Sequence, residues 1–562
     1  MKVLFVNPAC LDKRVTDDDA LQVPIGLYYL AAQLLDKEIF ASILNLAALG
    51  AEQRPGLFRS ALEQIRPDII GFSVTNPSRI NAQDCARIAR KVMPKSLIVF
   101  GGPAPTFMAD HMFRACPELD IIVRGEGEHS FLSLAQAGDH TPQGIHSIPG
   151  LVFRQGNRLA DTGPARPIED LDSLAHPSQY FSFRHLSMSR GCPGRCTFCG
   201  SPKFWGTASV RRHSPEWFFE EIRTLAGKGV SHFFISDDTF TMDRDAVAAL
   251  CEKIIEAGLN ITWNAISRVD YIDESILPLM RRAGCIQISF GVESGAEKIK
   301  RILGKPIDND TCVRAFERVK SYGILPRAYF IYGSPGETDA TIEESVALME
   351  RLGPLSTVFY MLVAFPGTRL YARARGKGWV DEDIWFKEIE DLPWFELDPD
   401  LDPVQVKSWG NRLRTAFFTG LASFVSTIEL KDDKTLFPFH ADFLSRLAMT
   451  FSQGEYAHDP RVNNPHKLAT ELYEKALTYH PDPRAYMGLA MGFQKSRRFP
   501  QAVARLEDGL NHFPDHKDLS VCMGVCLMNQ GDFKQALSFF APFDRDPGLR
   551  HYIEICENRI NE

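Results

Sequence analysis

Two stretches of the chain, residues 1–140 and roughly 182–375, alternate short apolar runs with amphipathic segments. No other feature restricts the fold as much, because buried strands separated by helices pair as a parallel α/β sheet covered on both faces. In the first stretch VLFVN (3–7), ASILNL (41–46), DIIGFSVT (68–75), SLIVFGG (96–102) and DIIVRGEGE (120–128) read as strands. IGLYYLAAQLL, FRSALEQI, AQDCARIARKV, FMADHMFRA and EHSFLSLAQ read as the helices between them. The expectation is a five-stranded, doubly wound, flavodoxin-like sheet, in which a ligand sits beyond the carboxyl ends of the strands. Those ends are NPAC, TNPS, GGPAP and RGEGE. Gly101, Gly102, Gly125 and Gly127 permit close backbone approach, and Pro103 stiffens its turn. One such loop would be only a tight turn; four on one rim point to a ligand. Ser73, Thr75, Asn76, Glu126 and Glu128 stand on the same loops.

A chain of 562 residues, 44% hydrophobic and 24% charged, is long enough for several cored domains. Its formal charge of −8 and pI near 6.0 give no basic field, so nucleic acid is not expected as a general partner. No apolar run approaches the ~20 residues of a transmembrane segment, and MKVLFVNPAC leads into an acidic loop instead of a cleavage site. The expected location is cytoplasmic. Thiols stay reduced there, so clustered cysteines are better read as metal ligands or catalytic groups than as disulfides.

One cluster stands out. GCPGRCTFCG (191–200) packs Cys192, Cys196 and Cys199 into eight positions, on the loop that leaves a possible strand, HLSMSRG. Iron–sulfur clusters are commonly held by four thiolates, so three leave one iron open, as a catalytic metal needs. Zinc would require a fourth ligand nearby, and His213, the closest histidine downstream, lies beyond GSPKFWGTASVRR, outside ordinary zinc spacing. Three unliganded thiols this close would repel and oxidise. Downstream, HFFISDDTF, ITWNAISRVDYI, CIQISFGVESG, ILPRAYFIYGSPGET and TVFYMLVAFPGT read as further strands with their rim loops, giving six βα units of a partial barrel over 182–375.

Three other segments complete the chain. Residues 141–181 hold a small hairpin around GN in GLVFRQGNRLADTG and then a proline-punctuated connector, and read as an interdomain linker. Residues 376–452 form a helical cap rich in aromatics and acids, with Trp385, Trp394 and Phe395 expected in its core. In residues 453–562, Pro481, Pro514 and Pro547 recur every 33 residues, while Phe499 and Phe533, like Ala502 and Ala536, lie 34 apart. That is the tetratricopeptide period, two helices per repeat, with Cys522, Cys526 and Cys556 read as small core residues. A short array of this kind either binds a protein partner or braces its own enzyme.

The motifs VLFVNPA, VPIGLYYLAAQL, DIIGFSVT, IVFGGPAPT and IIVRGEGE together resemble the cobalamin-binding domain found at the front of many radical S-adenosylmethionine (SAM) enzymes. In related corrinoid carriers a histidine in the loop after the first strand, within an Asp-x-His-x-x-Gly pattern, ligates cobalt. The corresponding loop, NPACLDKRVTDDDALQVP, has no histidine. The resemblance therefore implies cobalamin without a protein imidazole on cobalt, its nucleotide tail by the GGP and GEGE loops, and Asn76 and Arg79 toward its lower face. CxxxCxxC with Phe198 before the last cysteine identifies the chain as a member of the radical SAM superfamily, similar to its cobalamin-binding (class B) methylases. This implies a [4Fe–4S] cluster on Cys192, Cys196 and Cys199, with the open iron chelating SAM and an electron cleaving it to a 5′-deoxyadenosyl radical.

Other roles follow from the same resemblance. Asp237 and Asp238 are candidates for the methionyl amine, Arg268 for the carboxylate and Glu293 for the ribose hydroxyls. Gly333, Ser334 and Pro335 belong beside the adenine, with Phe198 on its ring. The implied reaction removes hydrogen from an unactivated carbon of a small-molecule, lipid or tetrapyrrole substrate and adds methyl from methylcobalamin, with a flavodoxin- or ferredoxin-like donor supplying electrons. Two other readings stay open: a cyclase or oxidoreductase without methyl transfer, like the anaerobic porphyrin-ring cyclases, and a non-catalytic cobalamin-sensing scaffold.

Overall fold

The computed structural model describes residues 1–11, 21–207 and 209–561. Strands β1 (Lys2–Asn7), β2 (Phe40–Asn45), β3 (Ile69–Ser73), β4 (Leu97–Gly101) and β5 (Ile121–Val123) pair in parallel in the spatial order β2-β1-β3-β4-β5. Helices cover both faces, so the strands are apolar on both: Leu4, Val6, Phe72 and Phe100 enter one core, and Val3, Phe5, Ile69 and Val99 another. Strand order reverses between β1 and β3, which is where such a sheet opens a crevice. Residues 12–20 of the first loop, on which part of the lower-face expectation rests, lie outside the described residues.

The hairpin expected in the linker belongs instead to this sheet. Strand β6 (Leu151–Gln155) pairs antiparallel with β5, Val123 opposite Leu151, and β7 (Arg158–Asp161) follows, which makes seven strands among the described residues. Leu151, Val152 and Phe153 are buried, and their strand occupies an edge that β5 would otherwise leave open.

A second sheet holds six parallel strands: β8 (His185–Leu186), β11 (His232–Ile235), β12 (Thr262–Ser267), β13 (Cys285–Glu293), β14 (Leu325–Tyr332) and β15 (Ser356–Met361). The strand expected over HLSMSRG is broken. After β8 the chain leaves the sheet, and β9 (Ser189–Arg190) pairs antiparallel with β10 (Arg211–Arg212). Alternation divides the second sheet cleanly. Phe233, Ile235, Trp263, Ala265, Ile288, Phe290, Ala328 and Phe330 are buried against helices. Residues of opposite parity meet one another on the other face: His185 stacks on Phe234, His232 bonds Thr262, and Tyr329 meets Tyr360 edge-on. The helices after the strands start where side chains cap them, at Ser214, Asp243, Asp308 and Thr338.

The rest of the chain is helical. Helix Pro403–Ser426 packs on the second sheet, with Phe417 against Phe359, and helix Phe437–Ser452 pairs its Asp442 with the buried Arg281 of helix Leu277–Arg282. Trp385, Trp394 and Phe395 are buried as core. Six further helices from Pro465 to Asn561 each pack on the next, with Cys526 and Cys556 inside their core and Cys522 half-buried. No described helix is long and apolar enough to cross a membrane.

Candidate active site

The loop carrying Cys192, Cys196 and Cys199 follows β9, and its shape is set by backbone contacts. Thr197 N donates to Leu303 O at 2.8 Å and Thr197 O accepts from Leu370 N at 2.8 Å. Gly304, at φ +72°, packs so close that a Cβ there would stand 2.6 Å from Arg195 O. Gly194 leaves space between two thiols: a Cβ on it would lie 3.2 Å from Cys192 Sγ and 3.8 Å from Cys196 Sγ. All three cysteines are half-buried. Burial pushes the Cys199 thiol up to about 11 and raises that of Cys196, which the cations of Lys305 and Arg268 oppose. Among the described residues, no three cysteine, histidine, aspartate or glutamate side chains converge as a lone metal ion requires. Three thiols on one loop, with Gly194 leaving space between two of them, suit a polynuclear cluster whose irons each take one sulfur.

The rim of the second sheet surrounds this loop. Parity separates the two aspartates after β11. Asp237 is buried on the helix side, accepting from Met188 N at 2.8 Å and from Ser189 Oγ. Asp238 faces the cysteine loop, accepting from Ser201 Oγ at 2.6 Å and Trp205 Nε1 at 3.3 Å. Arg268 is held by both oxygens of Asp270, at 2.9 and 2.6 Å, and lies beside Gly194. Glu293 sits at a bulge in β13 with φ +66°, a left-handed backbone that costs a non-glycine residue about 1–3 kcal/mol. Its buried carboxylate pairs with Lys305 Nζ at 2.7 Å, over Gly291, whose missing side chain leaves room for both groups. Gly333 and Ser334 donate their N–H groups to Glu337, at 2.5 and 3.0 Å, which locks the turn that ends β14. Phe198 is half-buried and packs on the core.

Facing this rim, the crevice of the first sheet is an apolar cavity of about 270 Å³. Ser73, Gly101, Gly102, Pro103, Gly125, Glu126, Gly127 and Glu128 all line it, and Ser187, Arg190, Phe204, Trp205 and Ser236 close it from the other domain. Gly102 is required there: it has φ +102°, and a Cβ would stand 2.8 Å from Val74 O. An apolar slot at the switch point, walled by glycine turns, fits the tail of a corrinoid.

The acids of RGEGE do other work. Glu126 accepts from Arg190 at 2.9 Å, Arg211 at 2.6 Å and Ile168 N at 3.0 Å, and Glu128 accepts from Arg190 at 2.8 Å. All four side chains are at most 7% exposed. Their carboxylates lock the two rims together and are not left for a ligand. Thr75 and Asn76 are not brought to the cavity. Thr75 bonds Ser78, and Asn76 O accepts from Arg79. Arg79 itself is fully buried and donates to Trp385 O, Lys387 O and Ile389 O, so it ties the cap to the first domain. Sequence reasoning did not find Arg190, Arg211, Lys305 or Glu337 as partners. Only Arg190, next to the cysteine motif, carried a local signal.

The family model of the radical SAM superfamily matches residues 186–349, and that of the B12-binding domain residues 19–135. An uncharacterized methyltransferase of Pyrococcus horikoshii is 30% identical over 66% of this chain and 83% of its own length. An anaerobic magnesium-protoporphyrin IX monomethyl ester cyclase of Rubrivivax gelatinosus is 29% identical over 66% of this chain and 69% of its own. Among solved structures, the radical SAM methyltransferase TsrM of Kitasatospora setae, with cobalamin and a [4Fe–4S] cluster bound, superposes with TM-score 0.59 at 16% identity, covering 85% of this chain and all of that one. Rim, cysteine loop and matches agree on the class: the chain belongs to the radical SAM superfamily. Within it, this chain is of the kind that carries a B12-binding domain in front.

Proposed function

We propose that this protein is a cobalamin-dependent radical SAM methyltransferase acting on an unactivated carbon. One observation carries the reading: the slot of the first domain and the cysteine loop of the second share a wall, Arg190, Phe204 and Trp205, so that a carbon held between the rims meets both cofactors. When bound, a [4Fe–4S] cluster, SAM and cobalamin supply radical generation and a transferable methyl group. The chain positions them. Cys192, Cys196 and Cys199 hold the cluster. Asp238, facing the loop, orients the methionyl amine; Asp237 stays structural. Arg268 takes the carboxylate, and Glu293, steadied by Lys305, takes the ribose diol. Gly333, Ser334 and Pro335, locked by Glu337, border the adenine with Phe198. Ile266, Tyr360 and Phe365, 36%, 50% and 36% exposed on the open side of the second sheet, give the substrate an apolar bed.

We read residues 1–161 as the cobalamin domain, 182–375 as the radical SAM domain, 376–452 as a cap and 453–562 as tetratricopeptide repeats that brace it. The cyclase relative supports the alternative reading without methyl transfer. Anaerobically reconstituted protein given cobalamin, a reductant and SAM with a deuterated methyl group separates them. We expect 5′-deoxyadenosine together with a corrinoid carrying deuterated methyl. Deoxyadenosine with an unlabelled corrinoid would overturn the methyltransferase in favour of the cyclase-like reading.

A further inference from the structure

Besides Glu293 at the rim, the six strands of the second sheet carry a single residue of the Asp, Glu, Lys and Arg classes, Arg327 in β14. Its neighbours Pro326 and Ala328 are buried on the helix side, so Arg327 stands on the opposite, open face, with Ile266 and Tyr360. Ladder register sets it in one row with Ile266, Ser289 and Ser356. Among the described residues its guanidinium makes one hydrogen bond, from Nε to Ser356 Oγ at 3.0 Å, and no carboxylate pairs with it. Ser356 thus fixes one edge of the fork and leaves the terminal nitrogens to give. A half-buried cation without a counter-charge is costly unless a ligand answers it. Beside it, Ser289 Oγ accepts from Gln287 Nε2 at 3.3 Å and keeps its own proton to donate. One row nearer the amino ends, Asn264 Oδ1 lies opposite Gln287, buried without a hydrogen-bond partner among the described residues. Glu293 pairs with Phe330, three residues beyond Arg327, so at about 3.3 Å per residue the Arg327 row lies roughly 10 Å below the rim.

We propose that Arg327 selects the substrate: it binds the carboxylate or phosphate of an amphiphilic acid whose apolar part lies on Ile266 and Tyr360. The proposal rests on the reading of that open face as the substrate's bed. The reacting carbon then stands at the rim, roughly 10 Å from the anionic group. The fork supplies paired donors in the geometry that such a group accepts, Ser289 adds a hydroxyl proton, and Asn264 Oδ1 takes an N–H or O–H of the same molecule.

The test is calorimetric binding of decanoate, decyl phosphate and decanol, probes of one chain length, to the reconstituted holoenzyme. Wild type should bind at least one of the anions about tenfold or more tightly than decanol, and the tighter anion tells whether carboxylate or phosphate is read. In Arg327→Gln that preference should vanish while decanol binding holds. Arg327→Lys, which keeps the charge and loses the fork, should retain part of it. Equal binding of the three probes by wild type, or binding of neither anion, overturns the proposal. So does a preference that survives in Arg327→Gln, and so does a tenfold fall of SAM affinity in that variant, which would hand the residue to the cofactor. If Arg327→Gln binds none of the probes, its fold is damaged and Arg327→Lys decides: a preference lost there too assigns Arg327 to the framework and overturns the proposal. Probe binding needs no turnover. A wild type that cannot cleave SAM therefore sinks the radical reading alone, and one that cleaves SAM without telling acid from alcohol sinks this proposal alone.

Discussion

Glu126 and Glu293 occupy comparable places, each a buried carboxylate at or just past the carboxyl end of a parallel strand, one on each rim. They are satisfied differently. Glu126 accepts from two arginines and a backbone N–H contributed by other segments, on both oxygens. Glu293 receives among the described residues one hydrogen bond, from Lys305 to Oε1, and is held in a strained backbone conformation. A carboxylate filled from all sides is a fastener, whereas one fixed in direction and left with an unused oxygen can take a ligand. Charge on a strand rim therefore has to be read together with what already answers it.

Removing the fastener should have the largest effect. Glu126→Ala leaves Arg190 and Arg211 buried without their shared counter-charge and should cost about 3–5 kcal/mol in denaturant unfolding. Glu293→Gln keeps the side chain's size and part of its hydrogen bonding, so its stability should change by about 1 kcal/mol while SAM affinity falls about tenfold or more, measured by equilibrium binding. Equal stability losses in the two variants would break the contrast between the rims.

Arg79 sharpens the comparison from the other side of the first domain. Its donors reach three carbonyls of the segment 385–389 and one of its own loop, and its guanidinium lies 5.2 Å from the Trp385 ring. Arg79→Met should cost about 2–3 kcal/mol. Limited proteolysis should then cut first within residues 384–391, before any cut in the first sheet. Protection of that segment in the variant would show that Phe386, packed on His111, suffices to hold the cap.

What could be read in the sequence follows the range of the interactions. Strands of both sheets were legible because period and burial are local, and the cysteine loop because its spacing is local too. The hairpin at 151–161 was misplaced because nothing within GLVFRQGNRLADTG tells that β5 needs a neighbour. RGEGE was legible as a ligand loop through its glycines, but its acids meet arginines 62 to 85 residues away, a distance no motif spans. Lys305 lies twelve residues from Glu293, and only the bulge in β13 turns the two together. The side on which Asp237 and Asp238 fall was in principle readable from parity, since Phe233 and Ile235 share Asp237's face.

That last pair yields the smallest effect. Burial is the main cause that raises the Asp237 carboxyl to about 7, against the hydrogen bonds from Ser189 and Met188, which lower it. In the unfolded chain an aspartate ionises near about 4. The folded state thus binds the proton more tightly, so the contribution of this group is fully present below the unfolded value and is lost as pH rises through about 7. Between about pH 5 and about pH 8, superposed on the opposite trend from buried His213, whose pKa burial lowers, Asp237 adds a slope of melting temperature that falls with rising pH. Asp237→Asn, neutral throughout and able to accept from Met188 N through its amide oxygen while its amide nitrogen donates to Ser189 Oγ, should flatten that slope and leave the cysteine loop unchanged. A slope as steep in the variant as in the wild type would mean that the carboxylate stays ionised in its buried place, and that Met188 and Ser189 outweigh the cost of burial there.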